Sequence, residues 1–367
     1  MHDQRVRGST DSGGDATAGC ELGVARPSSP APARRNGWAV RLASVRSAGA
    51  RGGHVIEIVR FDHLSMAVAE LDPQIELLES LFGFRYVGRF DEDGFVGANL
   101  EVPGSSGMGF ELLAPSGPDS YLHRFLQGPH GPGVHHVAMQ VTDVLAAAAL
   151  MRAEGMEPWG LVEHDTSRHE HGEQPPGAPP EDRSVVYIHP RHGGHGFLFQ
   201  LYSGTPWHPA TPFVDDREHT LGIRAINHYA HAHHSRDGLA DWYTRLFGMQ
   251  LYHRSPGPAS PPGGGFQTAV LDTPTRQLRI EIISPGGEDS FIARFLARRG
   301  PSVHHVTFEV HDWDRAVAAC AHHDIETFGE RAGETHGVAW REAFIHPRDT
   351  GGMLTQFFWQ AQPGVWV

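Results

Sequence analysis

The chain contains no lysine: all 30 of its basic residues are arginine. That excludes every mechanism built on a lysine imine, a pyridoxal-phosphate aldimine included. A GC-rich genome is the plainest cause, so the absence removes chemistries without pointing to one. Cysteine is nearly missing too. Cys20 and Cys320 cannot build a disulfide framework and neither lies in a CxxC motif, so a reducing, cytoplasmic setting is expected. No apolar run approaches the ~18 residues a membrane helix needs, LAAAALM (145–151) being only a short helical piece. No apolar stretch behind the N-terminal charges suggests a secretory signal. Positive charge is outweighed, with 43 acidic residues and a net charge of -13, which argues against nucleic acid or an anionic membrane as partner.

Histidine, by contrast, is abundant at 27 residues, and that brings metal chemistry into view. At 367 residues the chain has room for two ordinary domains. Residues 1–54 are rich in Gly, Ser, Ala, Pro and Arg and carry no sustained period, as expected of a disordered tail or a misassigned start with translation beginning near Val55. Beyond His54 the pattern changes. IVRFDHLSMAV (58–68) alternates as a strand does, and DPQIELLESLFGF (72–84) reads as a helix with Asp72 as N-cap, Pro73 in the first turn and Gly83 at the exit. Three short strands follow, ending in MGFELLAP (108–115). GVHHVAMQV (133–141) opens a second such unit, with a helix closed by Gly155 and strands ending in HGFLFQLYS (195–203). The unit is βαβββ.

The pair of units then recurs. RAINHYAHAH (224–233) matches the first strand, LRIEIISP (278–285) matches MGFELLAP, SVHHVTFEV (302–310) matches GVHHVAMQV, and MLTQFFWQ (353–360) matches HGFLFQLYS. YIHPRHGG (187–194) and FIHPRDTGG (344–352) agree almost letter for letter. Repetition at this level sets the architecture: α+β, four βαβββ units forming two curved sheets in one chain. The expected division is a first domain at 55–203, a proline-rich linker at 204–220 and a second domain at 221–367.

Polar residues interrupt the apolar strands at matching places. The first half offers His63, Glu111, His136 and Gln200; the second offers His228, Glu281, His305 and Gln356. An unpaired polar group mid-strand costs a few kcal/mol, roughly, so four of them placed twice ask for a joint role. In these stretches, FDHLSMAV, FELLAPSGPDSYLHRFL, GPGVHHVAMQV and YIHPRHGGHGFLFQLYS with their second-half partners, the chain resembles the vicinal oxygen chelate superfamily. That group contains glyoxalases, bleomycin-resistance proteins and extradiol dioxygenases; the methylmalonyl-CoA epimerases look nearest. The resemblance runs from about residue 58 to 361. It implies that paired βαβββ units surround a divalent ion, Fe(II), Mn, Co, Ni or Zn, held by His63, Glu111, His136 and Gln200 and again by His228, Glu281, His305 and Gln356. It also picks the second histidine of each HH pair as the ligand, so that His135 and His304 are expected on the opposite face by strand alternation. One departure matters: the last-strand ligand of the epimerases is Glu, and here both halves have Gln. Glu111 and Glu281 are then the candidate bases.

Three functions follow. The first is a metal-dependent isomerase or lyase of the epimerase and glyoxalase kind, acting on a small carbonyl or acyl substrate. The second is a non-haem Fe(II) dioxygenase of the extradiol or hydroxyphenylpyruvate type, since two His and one carboxylate make an oxygen-binding triad. The third is a small-molecule binding or resistance protein. The expected partners are a small-molecule substrate and, among macromolecules, a second copy of the chain as a homodimer. The stretch at 163–184, with His164, His169 and His171, reads as a surface loop or a lid over the first pocket. His231, His233 and His234 are expected to be split between faces, so that some line the second pocket, and Trp242, Trp340 and Trp359 to make that pocket more aromatic.

Overall fold

The computed structural model describes residues 55–104, 106–162, 183–208, 211–256, 265–335 and 337–363. The tail expected at 1–54 and the histidine-bearing loop 163–182 lie outside the described residues. Within them every expected βαβββ unit is present. The first is β1 (Ile58–Ala67), α1 (Leu71–Ser80), β2 (Arg85–Glu92), β3 (Phe95–Glu101) and β4 (Gly109–Pro115). A short helix, α2 (Leu122–Gln127), leads to β5 (Gly133–Val141), α3 (Val144–Ala153), β6 (Trp159–Val162), β7 (Ser184–Ile188) and β8 (Leu198–Ser203). The second half begins with β9 (Ile223–Ala232), α4 (Arg236–Phe247), β10 (Gln250–Arg254), β11 (Phe266–Asp272) and β12 (Arg279–Pro285). It closes with α5 (Phe291–Arg299), β13 (Ser302–Val310), α6 (Trp313–His322), β14 (Thr327–Thr335), β15 (Val338–Ile345) and β16 (Thr355–Gln360). Among the described residues no helix is long and apolar enough to cross a membrane.

Each half is one eight-stranded sheet, ordered β2-β3-β4-β1-β5-β8-β7-β6 and β10-β11-β12-β9-β13-β16-β15-β14. β1 runs parallel to β4 and antiparallel to β5, and β5 runs parallel to β8, so the two units of a half meet at their first strands. Alternation then sorts the side chains. Leu64, Met66, Phe110, Leu112, Val137 and Met139 face the helices and enter the main core, while His63, Ser65, Glu111 and His136 take the other face.

Helix boundaries follow local chemistry. Asp143, Ser235 and Asp312 cap α3, α4 and α6 by accepting backbone N–H bonds, and Gly248 ends α4 in the left-handed conformation. In α1 the expected cap is corrected: it lies two residues earlier, at Glu70, the helix begins at Leu71, and Asp72 lies inside the first turn. Burial of Leu71, 5% exposed, draws it into the helix, and Asp72 meets the positive end of the helix dipole instead.

The two sheets share a core. The ring of Phe308 in the second half lies 5.5 Å from Phe82 and 5.8 Å from Phe84 in the first, and Trp242 packs on Phe199. Polar clamps add to this. Gln277 accepts from the Phe61 N–H at 2.8 Å and donates to the carbonyls of Phe61 and Ser106. The Leu221 N–H donates to the Leu81 carbonyl and Gly104 bridges to Phe213.

Candidate metal centres

The central strands β4, β1, β5 and β8 lie side by side, and each brings one of the four polar residues. Ser65 is flanked in register by Glu111 and His136, and one step along Ala138 is flanked by His63 and Gln200. Two small residues therefore sit on a diagonal, with four donors around them. In the second half Ala230 lies between Glu281 and His305, and Thr307 lies between His228 and Gln356. The pattern is the same with the hydroxyl moved to the other diagonal position.

The donor atoms converge. His63 Nε2 is 3.3 Å from His136 Nε2, and each is 3.7 Å from Glu111 Oε1. In the second half the spacings are 3.4 Å for His228 to His305, and 3.6 and 3.5 Å from these to Glu281 Oε2. A point equidistant from three atoms so placed lies roughly 2.1 Å from each, the bond length of Zn and similar ions to N and O. All the histidines in both sets are at least nine-tenths buried. Gln200 Oε1 is buried with no hydrogen-bond partner, while its Nε2 donates to Tyr187 Oη at 3.0 Å. An orphaned carbonyl beside three converging donors fits a fourth ligand. In the second half Gln356 Oε1 already accepts from Thr307 Oγ1 at 2.6 Å, and that hydroxyl is also 2.9 Å from His228 Nε2. The sets suit a divalent first-row ion.

The residues behind the donors fix their orientation. Asp62 and Asn227 are each an unpaired extra residue between ladder partners, since Phe61 and His63 face consecutive residues of β5, as Ile226 and His228 do on β13. That bulge lets the side chain turn onto its own neighbour. Asp62 Oδ1 accepts from His63 Nδ1 at 2.8 Å, and Asn227 Oδ1 accepts from His228 Nδ1 at 2.9 Å. Asp62 also accepts from Tyr202 Oη, and its carboxyl is lowered to about 2: burial opposes this, but His63, His208 and Tyr202 outweigh it. Burial would lower His63, yet the Glu111 and Asp62 carboxylates beside it raise it. Glu111, which accepts from Ser65 Oγ at 3.0 Å, is raised chiefly by burial. His136 and His305 lie well below the ordinary imidazole range, mainly through burial, and are held neutral.

The expectation for His135 and His304 is overturned. Each is the bulged residue of its strand: Ser65 and Met66 face His136 and Val134, and Ala230 and His231 face His305 and Val303. A bulge suspends alternation, so both histidines of a pair turn to the ligand face. His135 packs on Phe125, which belongs to the ligand-face cluster with Ala67 and Leu113, and His304 packs on Phe295 in the same way. Their Nδ1 atoms lie 3.0 and 2.9 Å from the Nδ1 atoms of His136 and His305. Burial pushes both down to about 4, so each stays neutral and can accept an Nδ1 proton from its neighbour, which would leave that neighbour's Nε2 free to face the other donors.

Other expectations are corrected. His231 points away from the ligand set, between Tyr243 Oη and the His195 carbonyl, and His233 lies against His195. Of the three tryptophans, Trp242 and Trp359 pack on the core side; Trp340 pairs with Gln360 on the ligand face, stacked on Phe358. The first cup has its own tryptophan. Trp207 and His208, from the linker, lie 6.3 and 4.8 Å from the His63 ring, and Gly109 has no side chain because a Cβ there would meet His208 at 2.3 Å. Aperiodic sequence concealed this contribution, and only the tight Trp-His dipeptide between prolines hinted at it.

A family profile described as the Glyoxalase/Bleomycin resistance protein/Dioxygenase superfamily matches residues 62–173 and 227–344. The mitochondrial methylmalonyl-CoA epimerase of Homo sapiens is 28% identical over 133 residues, which is 36% of this chain and 71% of that protein. The 3-dehydroshikimate dehydratase of Pseudomonas aeruginosa is 27% identical over 213 residues, 56% of this chain but only 31% of its own length. A mutant of 4-hydroxymandelate synthase from Streptomyces coelicolor has a similar fold, with a TM-score of 0.61 at 14% identity, covering 83% of this chain and 94% of that one.

Proposed function

The chain belongs to the glyoxalase/bleomycin resistance protein/dioxygenase superfamily, and we propose that each half is a divalent-metal cup that moves a proton next to the carbonyl of a small acyl substrate. One observation carries this reading: a carboxylate stands in the same triad of donor atoms as two histidines, in both halves. A divalent ion held there supplies a Lewis acid that draws electron density from a chelated carbonyl and acidifies the neighbouring C–H. Glu111 and Glu281 are the bases beside that C–H. Ser65 holds Glu111 Oε1 in place, while Asp62 and His135 hold the two histidine rings. Trp207, Tyr121 at the cap position of α2 and Phe125 within that helix enclose the first cup and limit water.

The names of the sequence relatives support proton transfer. An epimerase inverts a carbon by removing and returning a proton, and a dehydratase takes a proton from beside the departing hydroxyl. Both need a base next to a group that accommodates negative charge. The second reading, oxygen chemistry at Fe(II), is favoured by the composition of the triad, two histidines and one carboxylate. Anaerobic purification followed by metal analysis separates the two. Solvent deuterium entering methylmalonyl-CoA without oxygen uptake supports proton transfer; oxygen uptake with Fe(II) and no exchange overturns it.

A further inference from the structure

Gln in place of Glu on the last strand takes a carboxylate away from each cup, yet the second cup regains one from an adjacent strand. Glu342 lies on β15 in register with Phe358, two residues from the pair Phe344 and Gln356, and so faces the ligand side of the sheet. Its side chain is 12% exposed, and its Oε2 accepts from Gln356 Nε2 at 2.9 Å. The strand order β12-β9-β13-β16-β15 puts Glu281 and Glu342 on opposite flanks of the histidine pair. Arg331, more than half exposed on β14, pairs with Glu342 from the solvent side. Among the described residues the first cup has no equivalent. There Val185 faces Tyr202 at the matching position, and Gln200 donates instead to the phenol of Tyr187.

We propose that Glu342 is the second proton carrier of the second cup, which makes that half the one able to invert a carbon centre. The inference rests on the proton-transfer reading above. Glu281 takes the C–H proton from one face, and the electron pair of that bond moves onto the carbonyl oxygen. Glu342, entering as the acid, delivers its proton to the opposite face as the pair returns and the C=O bond re-forms. Glu281 is left protonated and Glu342 ionised. The opposite epimer runs the exchange backwards, and water re-equilibrates the two carboxyls. Among the described residues the first cup has one carboxylate in its donor set, Glu111, and Val185 at the position of Glu342, so it is assigned proton exchange on one face.

The test uses the full chain with the first cup disabled by His63→Ala and His136→Ala, loaded with Co(II) and given each single epimer of methylmalonyl-CoA in D₂O in turn. Glu342→Gln keeps an oxygen acceptor for Gln356 Nε2 and removes the ionisable carboxyl, together with its charge towards Arg331. Expected are a Co(II) affinity within about threefold of the parent and retained deuterium wash-in, with inversion slowed at least about 100-fold. Inversion within about threefold of the parent overturns the proposal. So does a Co(II) affinity at least about tenfold weaker, which would make Glu342 a positioning residue for Gln356. If the parent itself shows no wash-in, the proton-transfer reading falls and this inference with it; wash-in in the parent together with inversion unchanged by Glu342→Gln sinks the inference alone.

Discussion

Asp62 Oδ1 lies 2.8 Å from His63 Nδ1, and the matching pair in the second half, Asn227 and His228, lies at 2.9 Å. The geometry is shared and the charge is not. A carboxylate behind an imidazole makes it a stronger donor to a metal than an amide does. Asp62→Asn is expected to weaken the first cup's affinity for Zn(II) by about 10–100-fold, and Asn227→Asp to strengthen the second. Competition against a chromophoric chelator, with the other cup disabled, measures it; equal affinities before and after would refute it.

Metal stoichiometry follows the two triads. The parent chain is expected to hold two ions, His136→Ala one, and His136→Ala with His305→Ala none, read by elemental analysis of anaerobically loaded protein. Two ions retained by the double variant would place the metal elsewhere.

The fourth donors differ. Gln200 offers an unengaged carbonyl, whereas Gln356 shares its carbonyl with Thr307. Gln200→Ala is therefore expected to lower Zn(II) affinity in its cup more than Gln356→Ala does in the other. Thr307→Ala, which copies Ala138, should raise the second cup's affinity several-fold. No gain in Thr307→Ala would show that the hydroxyl does not compete.

His231 gives the metal-free protein a pH-dependent stability. It is fully buried between Tyr243 and the His195 carbonyl, and burial lowers it from 6.5 to about 3. The unfolded chain takes up the proton first, so the contribution is complete above pH ~6.5 and is lost as pH falls towards the folded value, at ~1.4 kcal/mol per unit. Urea midpoints in EDTA should fall between pH 7 and 5, with a shallower slope in His231→Gln. An unchanged slope would assign the loss to other groups.

Phe84 touches Phe82, Phe110 and the Phe308 ring of the other half. Phe84→Ala should cost about 3–5 kcal/mol. Because the core is continuous, both halves should melt together, with tyrosine fluorescence and far-UV dichroism giving one midpoint. Two separated midpoints would mean the halves unfold independently.

Much of this was legible in the sequence because the repeat reports each position twice. A single Glu in FELLAP is ambiguous, but Glu111 and Glu281 at matching places in alternating runs are not. The same logic found His63 and His228. What it missed was where alternation breaks. His135 and His304 were assigned by parity, and a bulge has no signature in residue type, so parity failed for both. α2, which covers His135, has only six residues and no side-chain cap to mark it; α5, which covers His304, has nine and a Ser290 cap, and its signal was there to read. Trp207 and His208 came from a segment with no period to read. Glu342 escaped because its first-half counterpart is Val185, and comparison of repeats finds only what is kept.

Gln277 holds the halves together through main-chain groups alone, the N–H and carbonyl of Phe61 and the carbonyl of Ser106. Every residue has such groups, so this joint is indifferent to which side chains the first half carries. Mutations can rewrite one cup, as a hydroxyl shifted from Ser65 to Thr307 and a valine exchanged for Glu342 show, while the joint stays readable. A duplicated chain built this way can diverge in chemistry without its two copies coming apart.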